Sequence, residues 1–177
     1  MCGRFKYDMF RGGAHYSCNE RLFADAEIDL TSFIARLDGM KGNGPVVNCQ
    51  DCASAVVSLS NLAGCDLWCN RMGRLFKTRS FLPIGVFEEV EAEFVFHEVA
   101  WEGLCGDQDL VYDACIQYDG GEVLGCAPVE FVVPQGVMFC DGSEQAPFVY
   151  RERLSKDGSD GYGNCSNLYQ RIRRAIR

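Results

Sequence analysis

Three residues in this chain have side chains suited to thiol acyl transfer: Cys49, His97 and Asp113. In such chemistry a thiolate attacks a carbonyl, and an imidazole takes and later returns the proton. A carboxylate beside the imidazole fixes its tautomer and stabilises its charged form. The sequence holds eleven cysteines but only two histidines. Of these, His97 lies in a strand-like stretch, whereas His15 reads as structural or surface. Taken singly, Cys49 reads as a buried core thiol, and a strand histidine beside an aspartate reads as a structural pair. Their order, helix cysteine then strand histidine then aspartate on the next strand, is what points to catalysis.

The elements that must position these groups can be read locally. Val46 to Leu62 reads as a buried helix opening on a cysteine. Pro45 and the Lys41-Gly42-Asn43-Gly44 run bound it on one side, and Gly64 ends it on the other. Cys52, Val56, Leu59 and Ala63 recur at helical steps and are expected to form its inward face. Asn48 is a favoured N-cap residue, which puts Cys49 in the first turn. There the helix dipole and free N–H groups favour a thiolate. Ala92 to Trp101 and Asp109 to Tyr118 read as strands rich in β-branched and aromatic residues. Paired symmetrically about Cys105, they set His97 opposite Asp113, with Cβ atoms about 4.5–5.5 Å apart. Val95, Val99, Val111 and Cys115 are expected on the same face.

The remaining chain supplies context. The 177 residues are expected to form one domain with a sizeable core. Hydrophobic residues make up 47% and charged residues 24%, an ordinary globular balance. A net charge of −8 argues against a nucleic-acid partner, despite the basic run Arg171 to Arg177. No apolar run approaches the roughly 18 residues of a membrane span, so no membrane association is expected. The N-terminus lacks the apolar core of a signal peptide, so a soluble cytoplasmic protein, or one exported without such a signal, is expected. Reduced, mostly buried thiols follow from that setting. Residues 1 to 20 are irregular. Glu20 to Met40 has helical spacing, with Asp29 or Thr31 as a cap of its second half and Gly39 as a stop. Cys65 to Met72 reads as a strand, Phe81 to Phe87 as an apolar segment, and Glu88 to Glu93 as an exposed acidic stretch. Short strands are expected at Phe131 to Val133 and Val137 to Phe139, a loop at Ser155 to Asn164, and a terminal helix at Asn167 to Arg177.

Cys49-Gln50-Asp51-Cys52-Ala53 resembles the Cys-x-Asp-x-Ala signature of the transglutaminase-like, papain-related cysteine enzymes. His97 and Asp113 match that family's next two motifs in order. The resemblance covers residues 44 to 118. It departs at Cys52, where the family usually has an aromatic, and at Trp101, which is displaced from the usual place just after the histidine. It implies an α+β fold in which the helix bearing the nucleophile packs on an antiparallel sheet. It implies a hydrolase or acyltransferase acting on amide bonds of protein or peptide substrates, by deamidation, proteolysis or cross-linking, with no cofactor and no metal. In that reading Cys49, His97 and Asp113 are catalytic. The Cys49 backbone N–H binds the oxyanion, with Asn48 or Gln50 as a second donor, and Trp101 lines the substrate site.

Competing readings attach to other features. Cys49, Cys52, Cys65 and Cys69 have spacing reminiscent of a four-thiolate zinc site. Met1-Cys2-Gly3-Arg4-Phe5 is similar to the start of the SRAP domain, in which Cys2 attacks abasic DNA; that similarity ends at Phe5. An inactive interaction domain of the same fold is the third alternative. Oligomeric state is open.

Overall fold

A computed structural model of the chain describes residues 4–9, 13–18, 25–72, 76–106, 108–117, 137–138, 150, 154 and 172–176. In chain order the elements are β1 (Lys6–Tyr7), β2 (Ser17–Cys18), β3 (Glu27–Ile28), α1 (Leu30–Leu37), β4 (Val46–Val47) and α2 (Cys49–Leu62). There follow β5 (Leu67–Met72), β6 (Phe76–Lys77), β7 (Leu82–Pro83), β8 (Glu93–Phe94), β9 (His97–Glu102), β10 (Leu110–Tyr112), β11 (Ile116–Gln117), β12 (Val137–Met138) and β13 (Ile172–Arg174). The chain is therefore α+β. No helix among the described residues is long and apolar enough to cross a membrane.

The central layer is a five-stranded antiparallel sheet in the order β12-β10-β9-β5-β13. Helix α2 covers one face, where Ala53 and Val57 pack on Leu67, Cys69 and Ala100. The small Ala53 and Ala100 let helix and sheet approach closely. Phe81, Val99, Trp101, Val111, Tyr150 and Leu154 form an apolar cluster on the other face. With both faces covered, β9 is buried from His97 through Trp101, so it shows no inside–outside alternation. A third cluster, Phe5, Tyr7, Tyr16, Phe33, Val47, Cys49, Cys52, Ile84 and Cys115 among it, surrounds the start of α2. Phe5 stacks on Phe33 at 4.7 Å, and Tyr16 sets its edge against both rings.

Helix α2 begins where its residues dictate. The Asn48 side chain accepts the Asp51 N–H, and the Asp51 carboxylate accepts the Asn48 N–H, a reciprocal cap. Gly64, at φ 91, follows the last turn as expected. The inward face differs from the expected stripe. Every residue from Cys49 to Ala55 is buried, whereas Leu59 and Ala63 are exposed. The first two turns are enclosed by the sheet, α1 and the N-terminal strands together, and the last turns lean out of the core.

Other expectations are corrected. Of the helical spacing over Glu20 to Met40, the second half forms α1, capped at Asp29, which accepts the Ser32 N–H, whereas Glu27–Ile28 before it is the strand β3; residues 20–24 lie outside those described. The N-terminal residues left irregular include β1, which pairs in parallel with β4 directly before α2. The long strand Ala92 to Trp101 is broken at Val95-Phe96, and Val95 is 66% exposed rather than on the His97 face. The strand from Asp109 likewise stops at Tyr112, where the chain turns before β11. The end of the chain, expected as a helix, supplies β13, paired with β5 through Ile172, Arg173 and Arg174. A sheet edge with open N–H and C=O groups there outweighs a helical pattern of short range. Val137–Met138 is a strand as read, at the opposite edge. The readings of Phe131 to Val133, Ser155 to Asn164 and Cys2 lie outside the described residues.

Candidate active site

Cys49 is the first residue of α2, carried there by the Asn48 cap. The Asp51 N–H goes to the Asn48 side chain and the Cys52 N–H to the Asn48 carbonyl. The Cys49 and Gln50 N–H groups are thus left outside the helix's own bonds, at its positive end. The Asp51 carboxylate also accepts the N–H groups of His15, Tyr16 and Ser17 and the Ser17 hydroxyl, at 2.6–3.2 Å. It thereby ties the N-terminal segment to the helix start.

His97 opens β9. The hairpin pairs Val111 with Trp101 and Tyr112 with Ala100, so its centre lies at Gly106 rather than Cys105. His97 and Asp113 are therefore diagonal rather than directly opposed, and Asp113 sits just past the end of β10. Both side chains keep the same face, because the slip moves the register by an even count. His97 Nε2 and Asp113 Oδ2 lie 2.7 Å apart, fully within the interior. The imidazole stacks on Phe94 at 5.2 Å and 8°, which fixes its plane. Its Nδ1 atom is buried without a hydrogen bond.

The Cys49 thiol lies near enough to this imidazole to influence its titration, but makes no hydrogen bond to it. Burial, the largest influence, pulls the His97 pKa down, but the charge and hydrogen bond of Asp113, with Cys49 adding to them, push it up to about 10. For Asp113 burial again opposes ionisation. The His97 charge and bond, the Tyr150 hydroxyl and the Cys115 N–H prevail and hold its carboxyl below the usual range. Both shifts favour an imidazolium–carboxylate pair over two neutral groups.

Asp113 has three donors. Its Oδ2 takes His97 and, at 2.6 Å, the Tyr150 hydroxyl; its Oδ1 takes the Cys115 N–H at 2.9 Å. Tyr150 lies outside the stretch that carries the motifs, and nothing in its local sequence marks it. Tyr7, Cys52 and Cys115 complete the surroundings. Burial pushes the Tyr7 hydroxyl well up, and Cys49, Cys115, Cys52 and Asp113 add to the effect, so the phenol there is neutral. Burial followed by the neighbouring Cys52 raises the Cys115 thiol.

Main-chain bonds brace the two halves of the site. The Asp8 N–H donates to Val47 in the strand before Cys49, Tyr7 N–H to Ile84, and Ile84 N–H to Cys115 beside Asp113. Gly85 makes that path possible. It has φ 68, and a Cβ there would come within 2.1 Å of the Phe5 carbonyl oxygen.

Cys49, His97 and Asp113 thus come together. The other expected site residues divide. Asn48 spends its side-chain oxygen on the cap and is 2% exposed. Trp101 is 0% exposed and belongs to the core; its indole N–H donates to the Gly106 carbonyl, so it does not line the site. Gln50 stays beside Cys49 in the first turn, buried like its neighbours. The four-thiolate alternative is not assembled: Cys65 is exposed, and Cys69 packs beneath α2 with the Ser54 hydroxyl 3.9 Å from its sulfur. No cluster of three or more metal-binding side chains exists among the described residues. Two open clefts, one lined by His15, Tyr16, Cys18 and Glu27, the other by Leu30, Ser58, Leu62 and Ile176, contain none of the three triad residues.

No protein-family model, curated protein or solved structure matches the chain.

Proposed function

We propose that the protein is a thiol hydrolase of transglutaminase-like, papain-related type that removes ammonia from glutamine side chains of protein or peptide substrates. The observation that carries the reading is His97, buried and bonded at 2.7 Å to Asp113, beside the helix-opening Cys49. A protonated imidazole next to a sulfur supports a thiolate–imidazolium pair.

In the first half-reaction the Cys49 sulfur attacks the carboxamide carbon. The developing oxyanion meets the Cys49 and Gln50 N–H groups at the start of α2. His97 gives its proton to the leaving nitrogen, ammonia departs, and a thioester remains. In the second half-reaction His97, now neutral, takes a proton from water. The hydroxide attacks the thioester, and collapse returns the sulfur and leaves a glutamate carboxylate. A lysine amine in place of water would give a cross-link by the same steps. General acid–base work of this kind is worth roughly 10²–10⁴-fold.

The choice of a side-chain amide over a main-chain peptide bond rests on access. Cys49 is 5% exposed, and the imidazole behind it not at all. A narrow approach suits a thin carboxamide arm better than a main chain, which needs a groove on both sides of the scissile bond.

The test has two parts. Iodoacetamide at neutral pH, with the sites mapped by mass spectrometry, is expected to label buried Cys49 faster than exposed Cys18 and Cys65. Ammonia release from an unfolded glutamine-rich protein is expected from the native chain and not from Cys49→Ala. Slower labelling of Cys49 than of Cys18 and Cys65, or equal ammonia release from both chains, would sink the proposal.

A further inference from the structure

Tyr150 carries a consequence for the same site. It is 1% exposed, and its ring lies in the apolar cluster of Phe81, Val99, Trp101, Val111 and Leu154. A phenylalanine would pack there equally well. What only the hydroxyl does is donate to Asp113 Oδ2, at 2.6 Å, on the same oxygen that holds His97. Tyr150 and Leu154 are both helical and four residues apart, so they present one face to the cluster. The Arg79 N–H donates to the Leu154 carbonyl at 2.7 Å and ties Leu154 to the segment before β7.

We propose that Tyr150 is a positioning residue that keeps Asp113 ionised and aimed at His97, making the triad a tetrad whose fourth member comes from the C-terminal third of the chain. The inference rests on the thiol-hydrolase reading above. A carboxylate in a dry site beside an imidazolium has an alternative: it can take the proton and leave two neutral groups. A neutral imidazole no longer supports a neighbouring thiolate. The phenol donates to the charged carboxylate and so favours the ionised pair. The Cys115 N–H on Oδ1 and the phenol on Oδ2 together set the plane of the carboxylate, so that Oδ2 points at Nε2. Because Tyr150 is sealed from solvent, it acts through Asp113 and not on substrate.

The experiment is the pH dependence of Cys49 alkylation by iodoacetamide in the full chain, which needs no identified substrate. In Tyr150→Phe the acid limb of the rate profile is expected to move up by about one pH unit, the order of one lost charge-assisted hydrogen bond. Leu154→Ala disturbs the same apolar cluster but keeps the hydroxyl; it is expected to lower the melting temperature and leave the limb in place. 3-Fluorotyrosine at position 150, a stronger donor of the same shape, is expected to move the limb down. A Tyr150→Phe or fluorotyrosine profile that superposes on the native one overturns this proposal while leaving the triad standing. A native Cys49 that reacts no faster than Cys18 or Cys65 removes the triad reading itself, so the two failures are distinct.

Discussion

Two buried aspartates flank the start of α2, and they are used differently. Asp51 is fully buried and satisfied by four main-chain N–H groups and one hydroxyl. Asp113 is also buried, but two of its three donors are an imidazole and a phenol. Main-chain N–H groups do not change charge, so Asp51 works as a fixed clasp between the N-terminal segment and the helix. Two of the donors at Asp113 are side chains with a transferable proton, so its region can exchange protons. The chain thus separates holding the nucleophile from tuning its base, although both tasks fall to the same side chain type.

The sharpest way to break this contrast is Asp113→Asn. It is expected to lower the ammonia-release rate by about 10³–10⁴-fold, because an amide cannot hold the imidazolium. The fold should persist, as followed by circular dichroism. Next comes Asp51→Ala, expected to cost about 3–5 kcal/mol in urea unfolding, since it strands several buried donors at once. A variant at 51 that folded as well as the native chain but lost activity would reverse the assignment of roles.

The pH dependence sharpens the contrast further. The His97 pKa is raised to about 10, so its contribution to stability is full below the unfolded value of about 6.5. That contribution is lost as pH rises toward 10. The Asp113 carboxyl is held low, so its contribution is present above the ordinary carboxylate range and is lost as pH falls through its folded value. Urea midpoints measured from pH 6 to 10 should therefore decline in the native chain and stay flatter in Asp113→Asn. The smallest effect is expected from Asn48→Ala, about 1 kcal/mol in urea unfolding, the usual cost of losing an N-cap. If Asn48 were instead an oxyanion donor, its activity loss would exceed this stability loss.

Local signals in the sequence carried far where the structure is local. The Asn48 cap, the Gly64 stop and the Asp29 cap each depend on a few adjacent residues, and each stands where expected. The pairing of His97 with Asp113 was legible from parity along two strands, though the hairpin centre moved to Gly106. Longer periodic readings fared worse. Leu59 and Ala63 match the helical stripe of Cys52 and Val56 but point away from the core, because what encloses α2 is not uniform along its length. Val95 shares parity with His97, yet the break before β9 turns it to solvent. The displaced Trp101 became core, because its indole found the Gly106 carbonyl inside the hairpin.

By itself the sequence determined the start of α2, with a cysteine in the first turn under an asparagine cap, and a histidine and an aspartate on one face of a hairpin. These follow from backbone geometry over a few residues. Only the tertiary structure decided that Ile172–Arg174 closes the sheet as a strand, that Asp51 clasps the N-terminal segment, and that Tyr150 reaches Asp113 across 37 residues of sequence. Such contacts are paid for by burial of groups far apart in the chain, and no local pattern encodes which distant donor will meet a desolvated carboxylate.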